Sequence, residues 1–305
     1  MSNILLLITC LLIGIILRGL KAMPENGANV LNNFIINVPL PAFTLLHTVN
    51  IQFTADEALP ILSAWLVFGA SFLFFNATKK QTGFDRSTVG ALIVVAGISS
   101  ISFVGFPIFE LLYGAEGLKL GILMSQSGTF LVCSTVGIAT VSTYATTGKK
   151  VNWLRILKDM FIFPPFAAFC LALILKFTGY QHPTVIADVL AKIGSTLNVV
   201  ALISIGLQMN FSALNRQSKP LILGLLFKLI LAPLIIFLIF VGIFKQQGIA
   251  LQVSILGSAL GSMNTIAIVA IRKGLNPNLV AQMIGISIPL SLILLPIVYF
   301  LIKNL

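Results

Sequence analysis

Two interrupted hydrophobic segments occupy matching places in the two halves of this chain. The first begins GISSISFVGFP at Gly97 and ends at Gly114, and the second begins GSALGSMNT at Gly257 and ends at Gly274, each 17 residues on. Both carry small, polar or proline residues in their middle. Such interruptions free backbone N–H and C=O groups, which a membrane tolerates only beside protein or a wet cavity. Paired interruptions in two halves are typical of the substrate site of a secondary transporter.

Composition supports a membrane protein. The chain has 305 residues, of which 58% are hydrophobic and only 9% are charged, whereas a soluble domain carries about 25% charged residues. Its net charge of +11 would favour nucleic-acid binding in a soluble protein. Here the basic residues fall in alternate loops, which indicates membrane topology and no nucleic-acid partner.

Apolar windows of about 20 residues predict an all-α polytopic protein with ten transmembrane helices in the lipid bilayer. The predicted spans are Ser2–Leu17, Ala28–Val49, Leu59–Ala77, Thr88–Tyr113, Leu118–Tyr144, Leu157–Phe177, Thr184–Met209, Pro220–Phe244, Ile249–Ile271 and Asn278–Ile302. Of the 19 Lys and Arg residues, 13 follow odd-numbered spans and 5 follow even-numbered ones. The excess predicts cytoplasmic odd loops, hence a multi-pass protein of the cell (inner or plasma) membrane with both termini outside.

A constant offset of about 160 residues relates the two halves. It sets Gly97 against Gly257, Ser102 against Ser262 and Gly114 against Gly274. Residues 1–145 then form a first repeat with spans one to five, residues 146–156 a cytoplasmic linker, and residues 157–305 a second repeat with spans six to ten. Because five is odd, the second repeat enters the membrane inverted, and helices four and nine are broken crossover helices.

At each break a half-helix begins near the middle of the membrane. Its N-terminus carries partial positive charge and unpaired N–H donors, so two of them predict a site for an anion such as a carboxylate. The predicted substrate-binding residues are Ser100, Ser102 and Gly105 at the first break and Ser262, Asn264 and Thr265 at the second. Alternatively, the hydroxyl groups satisfy only their own backbone.

Further polar residues lie at membrane depth. Asn37 stands beside Pro39, Asn198 takes nearly the equivalent place in span seven, and Gln126 lies in span five. Each is a candidate for facing the cavity, or for an interhelical hydrogen bond worth about 1 kcal/mol. Lys228 lies near the middle of span eight; it is either a functional charge or snorkels to the cytoplasm. Glu110 is expected at the outer interface.

Enzyme and cofactor chemistry find no support. The three cysteines show no CxxC spacing, the two histidines stand apart, and HExxH, GxSxG and Walker A motifs are missing. These patterns predict no metal, no cofactor and no catalytic residue. Apart from Glu110, no carboxylate lies in the middle of a span, so a buried carboxylate dyad for sodium or proton coupling is not expected.

The sequence resembles the auxin efflux carrier family, which includes plant PIN carriers and bacterial malate and malonate permeases. The resemblance covers the whole chain and rests on short motifs in order. These are Ser102-Phe103-Val104-Gly105-Phe106-Pro107 with Leu112-Tyr113-Gly114, Ile205-Gly206-Leu207, Lys228 with Pro233, and Pro296 with Tyr299.

The resemblance implies a ten-helix carrier of small organic acids. Spans one, two, six and seven would form a scaffold that often makes a homodimer, and spans three to five and eight to ten a moving transport bundle. Ser100, Gly105 and Pro107 match the first crossover. The second lacks a proline expected near Ile266 or Ala267, so that Gly261, Met263 and Asn264 would supply its break. The short central linker favours the bacterial permeases over auxin carriers.

Three functional hypotheses follow. The first is a secondary transporter of small organic anions that works by an elevator-type step. The second is a sodium-coupled symporter of the bile-acid type, which would need clustered acidic and amide ligands at the breaks. The third, a membrane receptor or enzyme without transport, would need a catalytic constellation or a sizeable soluble domain, and the sequence shows neither.

Overall fold

A computed structural model of the chain describes residues 2–24, 26–49, 57–145, 154, 158, 161–208 and 219–305. This part of the chain is helical. Its α-helices are α1 Ser2–Gly19, α2 Gly27–Asn37, α3 Pro39–Thr48, α4 Ala58–Thr82, α5 Arg86–Gly97, α6 Phe106–Leu123, α7 Ile138–Tyr144, α8 Pro164–Phe177, α9 Thr184–Gln208, α10 Lys219–Leu226, α11 Ala232–Phe237, α12 Ile249–Ser258, α13 Asn264–Arg272 and α14 Pro277–Ile302. Wider π-type turns lie at Ile101–Gly105, Met124–Phe130, Cys133–Gly137, Phe227–Leu231 and Leu238–Ile243.

The helices are apolar enough for a membrane, where only helices or closed barrels satisfy the backbone. Six helical stretches have the length to cross it: Gly27–Thr48, Ala58–Thr82, Ile101–Tyr144, Thr184–Leu207, Lys219–Ile243 and Pro277–Ile302. Four shorter apolar helices, Thr9–Gly19, Arg86–Gly97, Pro164–Phe177 and Ile249–Ser258, lie where spans one, four, six and nine are predicted. The chain is therefore a multi-pass membrane protein, and ten spans in an inverted repeat stay a prediction.

The chain divides into two compact units. The first unit comprises Met1–Thr54, Ser102–Ile122 and Trp153–Met209, and the second comprises Ala55–Ile101, Leu123–Asn152 and Asn210–Leu305. Most of the predicted linker, residues 146–156, lies outside the described residues.

Close helix packing builds the first unit. Helices α1 and α9 approach so closely at Gly14 and Gly206 that a Cβ atom on Gly14 would lie 2.3 Å from the Ile203 carbonyl oxygen. Small residues permit such backbone contact in membrane helices. Helix α2 ends before Pro39, because proline lacks the N–H that would continue the helix, and α3 begins there.

Helix α6 reverses direction at Gly114, whose φ of 62° is left-handed. Glycine adopts this conformation without the steric cost of a Cβ atom. After the bend, the returning segment lies against the incoming one, since a Cβ atom on Gly121 would lie 2.8 Å from the Phe109 ring. The sequence predicts the same point as the boundary between spans four and five.

Long-range hydrogen bonds tie together the helices of the second unit. The Tyr144 hydroxyl donates to the Asn76 side-chain oxygen at 2.5 Å, and the Arg86 guanidinium donates to the Thr143 carbonyl at 2.6 Å. Helix α5 is buried along nearly its whole length, from Thr88 to Gly97. This buried helix leads directly into the first break.

Candidate functional site

The two breaks lie side by side within the second unit. Helix α5 ends at Gly97 and the next helical turn begins at Ile101, while α12 ends at Ser258 and α13 begins at Asn264. Ser99 in the first break and Ser262 in the second form an isolated antiparallel β-bridge. Its flanking backbone hydrogen bonds run from the Ser100 N–H to the Gly261 carbonyl at 2.9 Å and from the Met263 N–H to the Ile98 carbonyl at 3.1 Å.

The bridge explains how the chain can open inside a membrane. Backbone groups released by one break are satisfied by the other, so that the hydrocarbon region never faces them. Position 261 requires a glycine, because the backbone of Ile288 leaves no room for a Cβ atom. A Cβ atom there would lie 2.7 Å from the Cα atom and 2.8 Å from the backbone nitrogen of Ile288, and backbone atoms cannot yield as a side-chain end would.

Each break delivers a helix N-terminus to this bridge. One helical turn begins at Ile101 and α13 begins at Asn264. The first N–H groups of a helix have no acceptor within the helix, and the end carries partial positive charge. The region around the bridge therefore favours an anion.

Lys228 reaches the first break from another helix. Its Nζ atom donates to the Ser99 Oγ atom at 2.6 Å, and the lysine is 0% exposed. It sits in the wide turn Phe227–Leu231, where the Ala232 N–H bonds the Phe227 carbonyl five residues back. Pro233 follows; since proline lacks an N–H and crowds the carbonyl four residues before it, a wide turn there relieves the helix. Such turns are frequent at functional sites.

The ammonium group of Lys228 has unused hydrogen-bonding capacity. It offers three N–H donors, and within the described part of the chain Ser99 is the hydrogen-bond partner that the structure gives it. No carboxylate among the described residues is paired with it. A buried cation of this kind is costly unless an anion compensates it. The Lys228 side chain does not snorkel to the cytoplasm, because its Nζ atom bonds Ser99 in the first break.

A second serine pair supports the other side of the bridge. The Ser262 N–H donates to the Ser287 Oγ atom at 2.9 Å, and the Ser287 hydroxyl donates to the Ser262 Oγ atom at 3.2 Å. Both side chains are fully buried. The hydrogen bonds from Lys228 through Ser99 and from Ser262 to Ser287 thus fix the bridge from both sides.

The predicted site residues of the second unit differ in exposure. Ser100 is buried and its Oγ atom has no hydrogen-bond partner among the described residues. Met263, Asn264 and Thr265 are half-buried, at the start of α13. They are more exposed than Ser99, Ser262 and Lys228, which are buried.

Gln126 is buried in the wide turn Met124–Phe130, and its Oε1 atom lacks a hydrogen-bond partner among the described residues. The same turn packs against the second break, because a Cβ atom on Gly257 would lie 2.5 Å from the Met124 sulfur. An unsatisfied buried amide oxygen is uncommon, and a role of Gln126 in substrate binding stays a prediction.

The remaining predicted residues belong to the first unit. Ser102, Gly105 and Pro107 lie on the helix that follows the first break, and Gly105 and Pro107 are buried. Asn37 is exposed, and its amide donates to the Asn33 carbonyl of its own helix at 2.7 Å. The Asn198 amide instead donates to the Glu110 carboxylate.

Sequence reasoning missed three residues of these networks. The sequence prediction named Ser100 and not its neighbour Ser99, but Ser99 is the serine that accepts the hydrogen bond from Lys228. Ser287 carries a weak signal, since it stands two residues before Pro289, a proline inside a helix. Glu110 bonds Asn198 from 88 positions away in the sequence, and no local pattern indicates that pair; its place at the interface stays a prediction. No group of three or more His, Cys, Asp or Glu residues that could hold a metal ion occurs among the described residues.

Comparison with known proteins gives one consistent result. The family model described as membrane transport protein matches residues 1–299. An uncharacterized transporter of Methanothermobacter thermautotrophicus is 28% identical over 97% of this chain and 96% of its own length. A second, from Methanocaldococcus jannaschii, is 25% identical over 100% and 99%. The uncharacterized transporter YfdV of Escherichia coli K12 is 23% identical over 78% and 77%.

Proposed function

Because the chain belongs to the membrane transport protein family, the auxin efflux carrier family that its motifs resemble, we propose that it is a secondary transporter of small organic anions. The anion binds at the crossover of the two breaks. The observation that carries this proposal is Lys228, a fully buried lysine whose Nζ atom donates to Ser99 inside the first break.

Positive charge is concentrated at the crossover. The second unit brings together a helix N-terminus at Ile101, another at Asn264 and the Lys228 ammonium group, which all favour negative charge. No carboxylate of the described residues neutralises them. The compensating anion is then the substrate. A carboxylate fits best, since its two oxygens accept several hydrogen bonds from N–H and hydroxyl donors.

Lys228 acts on this anion without touching it. Its side chain is 0% exposed, so the substrate contacts the half-buried start of α13, where Asn264 and Thr265 offer amide, hydroxyl and backbone N–H groups. For two unit charges held roughly 8 Å apart at an effective dielectric constant near 20, the Coulomb energy is about 2 kcal/mol. That energy corresponds to an affinity factor of about 30.

The proposed mechanism is an elevator-type step in which the bridge between the two breaks moves as one body. The hydrogen bonds from Lys228 to Ser99 and from Ser262 to Ser287 all lie within the second unit. A substrate held by this network would travel with it, and the site would not need to be rebuilt on each side of the membrane. This fits alternating access in inverted-repeat transporters.

The test is binding and uptake by the purified protein. Thermal-shift and proteoliposome uptake measurements with acetate, lactate, malonate, malate and succinate, with and without sodium, define the substrate class. For the anion that binds best, Lys228→Met is expected to weaken binding by about 30-fold. The matched control is Lys219→Met, which removes an exposed lysine from the start of the same helical span and is expected to bind like the parent.

Two outcomes would contradict the proposal. If none of these carboxylates shifts the melting temperature or enters proteoliposomes, the substrate is not a small organic anion. If Lys228→Met and Lys219→Met bind the anion equally well, the buried lysine does not serve the site. Uptake that occurs only with sodium would favour a symporter of the bile-acid type.

A further inference from the structure

The first unit contains a hydrogen-bonded pair that the anion site does not use. The Asn198 Nδ2 atom on α9 donates to the Glu110 Oε2 atom on α6. The Asn198 Oδ1 atom of the same amide is buried and has no hydrogen-bond partner among the described residues. Both residues belong to apolar stretches long enough to cross a membrane, Ile101–Tyr144 and Thr184–Leu207.

The pair lies on apolar helices. Asn198 stands 14 residues after the start of α9 at Thr184 and ten before its end at Gln208, so it lies near the middle of that helix. An ionisable residue within a membrane-spanning stretch is costly, and such residues are as a rule functional.

The amide is suited to both protonation states of the carboxyl group. An ionised carboxylate only accepts hydrogen bonds, and the Asn198 Nδ2–H group supplies one. A protonated carboxyl group also carries an O–H donor, which needs an acceptor when it is buried. The unpartnered Asn198 Oδ1 atom is such an acceptor, so the protonated pair would have two complementary hydrogen bonds. Protonation of Glu110 would therefore satisfy the Asn198 amide oxygen, which has no hydrogen-bond partner among the described residues when the carboxylate is ionised.

Among the described residues, Asn198 is the hydrogen-bond partner that the structure gives the Glu110 carboxylate, and no lysine or arginine is paired with it. Other ionisable groups also occur in this unit, and their titration must be separated from that of Glu110. Among the described residues they are Cys10, Arg18, Lys21, His47, Tyr113, Glu116, Lys119, Lys158, Cys170, Lys176, Tyr180, His182, Asp188 and Lys192.

We propose that Glu110, hydrogen-bonded to Asn198, is a proton-binding site that couples anion movement to protons. The proposal rests on the proposed transport function. The proton adds to a carboxylate oxygen of Glu110, forms an O–H group that donates to Asn198 Oδ1, and returns to water on the other side. A proton that travels with a carboxylate cancels one charge, and moving one charge against 100 mV costs about 2.3 kcal/mol.

Proton binding is tested without any substrate. Infrared difference spectra of the reconstituted protein, between neutral and mildly acid pH, report the C=O stretch of each carboxylic acid that forms. Glu110→Gln is expected to lose one such band. Asn198→Leu is expected to keep that band but move it to higher wavenumber, because the carboxyl group loses its hydrogen-bond partner. Glu116→Gln, which changes an exposed glutamate on the same helix, is the matched control and leaves that band in place.

Coupling is tested by transport of the anion that binds best in the carboxylate panel. An inward proton gradient, without membrane potential, is expected to accelerate uptake by the parent and by Glu116→Gln, and not by Glu110→Gln. If Glu110→Gln loses no infrared band, or responds to the gradient like the parent, the inference is wrong while the transport function stands. If the band is lost but no anion of the panel is transported by the parent, the transport function fails and the proton site stands.

Discussion

The bond between Lys228 and Ser99 should reveal itself through two substitutions with opposite effects on stability. Ser99→Ala removes the acceptor of a buried ammonium group, and Lys228→Met removes the ammonium group itself. We expect Ser99→Ala to lower the free energy of unfolding clearly. We expect Lys228→Met to change it little or to raise it, although both substitutions delete the same hydrogen bond.

The magnitudes follow from burial. A hydrogen bond to a charged group contributes about 1.5–3 kcal/mol, and Lys228 is 0% exposed, so water cannot replace the lost acceptor in Ser99→Ala. In Lys228→Met the same bond is lost, but the cost of holding a lysine at mid-membrane, roughly 3 kcal/mol on insertion scales, disappears. Methionine fills a similar length, which limits any packing defect. In Lys228→Met, the loss of the hydrogen bond and the removal of the cost of burying the lysine nearly cancel.

The double mutant isolates the bond. When Lys228 is replaced by methionine, Ser99→Ala no longer leaves a buried ammonium group without its acceptor. The double mutant should therefore have the same free energy of unfolding as Lys228→Met. The resulting interaction energy is expected to be about 1.5–3 kcal/mol, whereas independent sites add to within about 0.5 kcal/mol.

Unfolding in mixed micelles of dodecyl maltoside and sodium dodecyl sulfate, followed by circular dichroism, measures these differences. The matched control is Ser63→Ala. Ser63 is also fully buried in the second unit, but its hydroxyl donates to the Pro60 carbonyl of its own helix, so its effect should be the same with Lys228 or with methionine. Additive effects of Ser99→Ala and Lys228→Met would refute the account of the buried ammonium group.

Three further predictions concern the crossover and the topology. Asn264→Ala should weaken anion binding in isothermal titration by about 10- to 150-fold, the equivalent of one hydrogen bond to a charged group. Ser102→Ala should weaken anion binding less. Equal binding by the parent and by Asn264→Ala would show that Asn264 does not belong to the site. Gly261→Ala should abolish uptake, because its Cβ atom would overlap backbone atoms of Ile288 2.7–2.8 Å away. The control Gly285→Ala has open space around the new Cβ atom and should transport normally. Normal uptake by Gly261→Ala would contradict the close packing inferred at the second break. Cysteines engineered between Thr146 and Trp153 should resist an impermeant label on intact cells, and labelling there would reverse the predicted topology.

The class of the fold was predictable because it depends on composition. A chain with 58% hydrophobic residues and apolar stretches of membrane length has few alternatives to a helical membrane protein. The breaks were predictable for a local reason, since glycines and serines at Gly97–Ser100 and Gly257–Ser262 cannot sustain an apolar helix. The structure narrows the first break to Ile98–Ser100 and the second to Ala259–Met263.

The partners of the polar side chains were not predictable in the same way. The bond between Lys228 and Ser99 joins residues 129 positions apart, and no local pattern encodes which of two neighbouring serines the lysine meets. Glu110 and Asn198 likewise stand 88 positions apart. Counting residues along a span predicts a depth in the membrane, but it does not predict the helix against which a side chain packs.

The bridge between Ser99 and Ser262 has a consequence for how the protein is made. The first break enters the membrane about 160 residues before its partner has been synthesised, which at 5–20 residues per second is a delay of roughly 8–30 s. Throughout that interval its open backbone groups have no second strand to bond. The nascent first half must therefore wait beside water or the insertion machinery, and only translation of the second half allows it to settle into lipid.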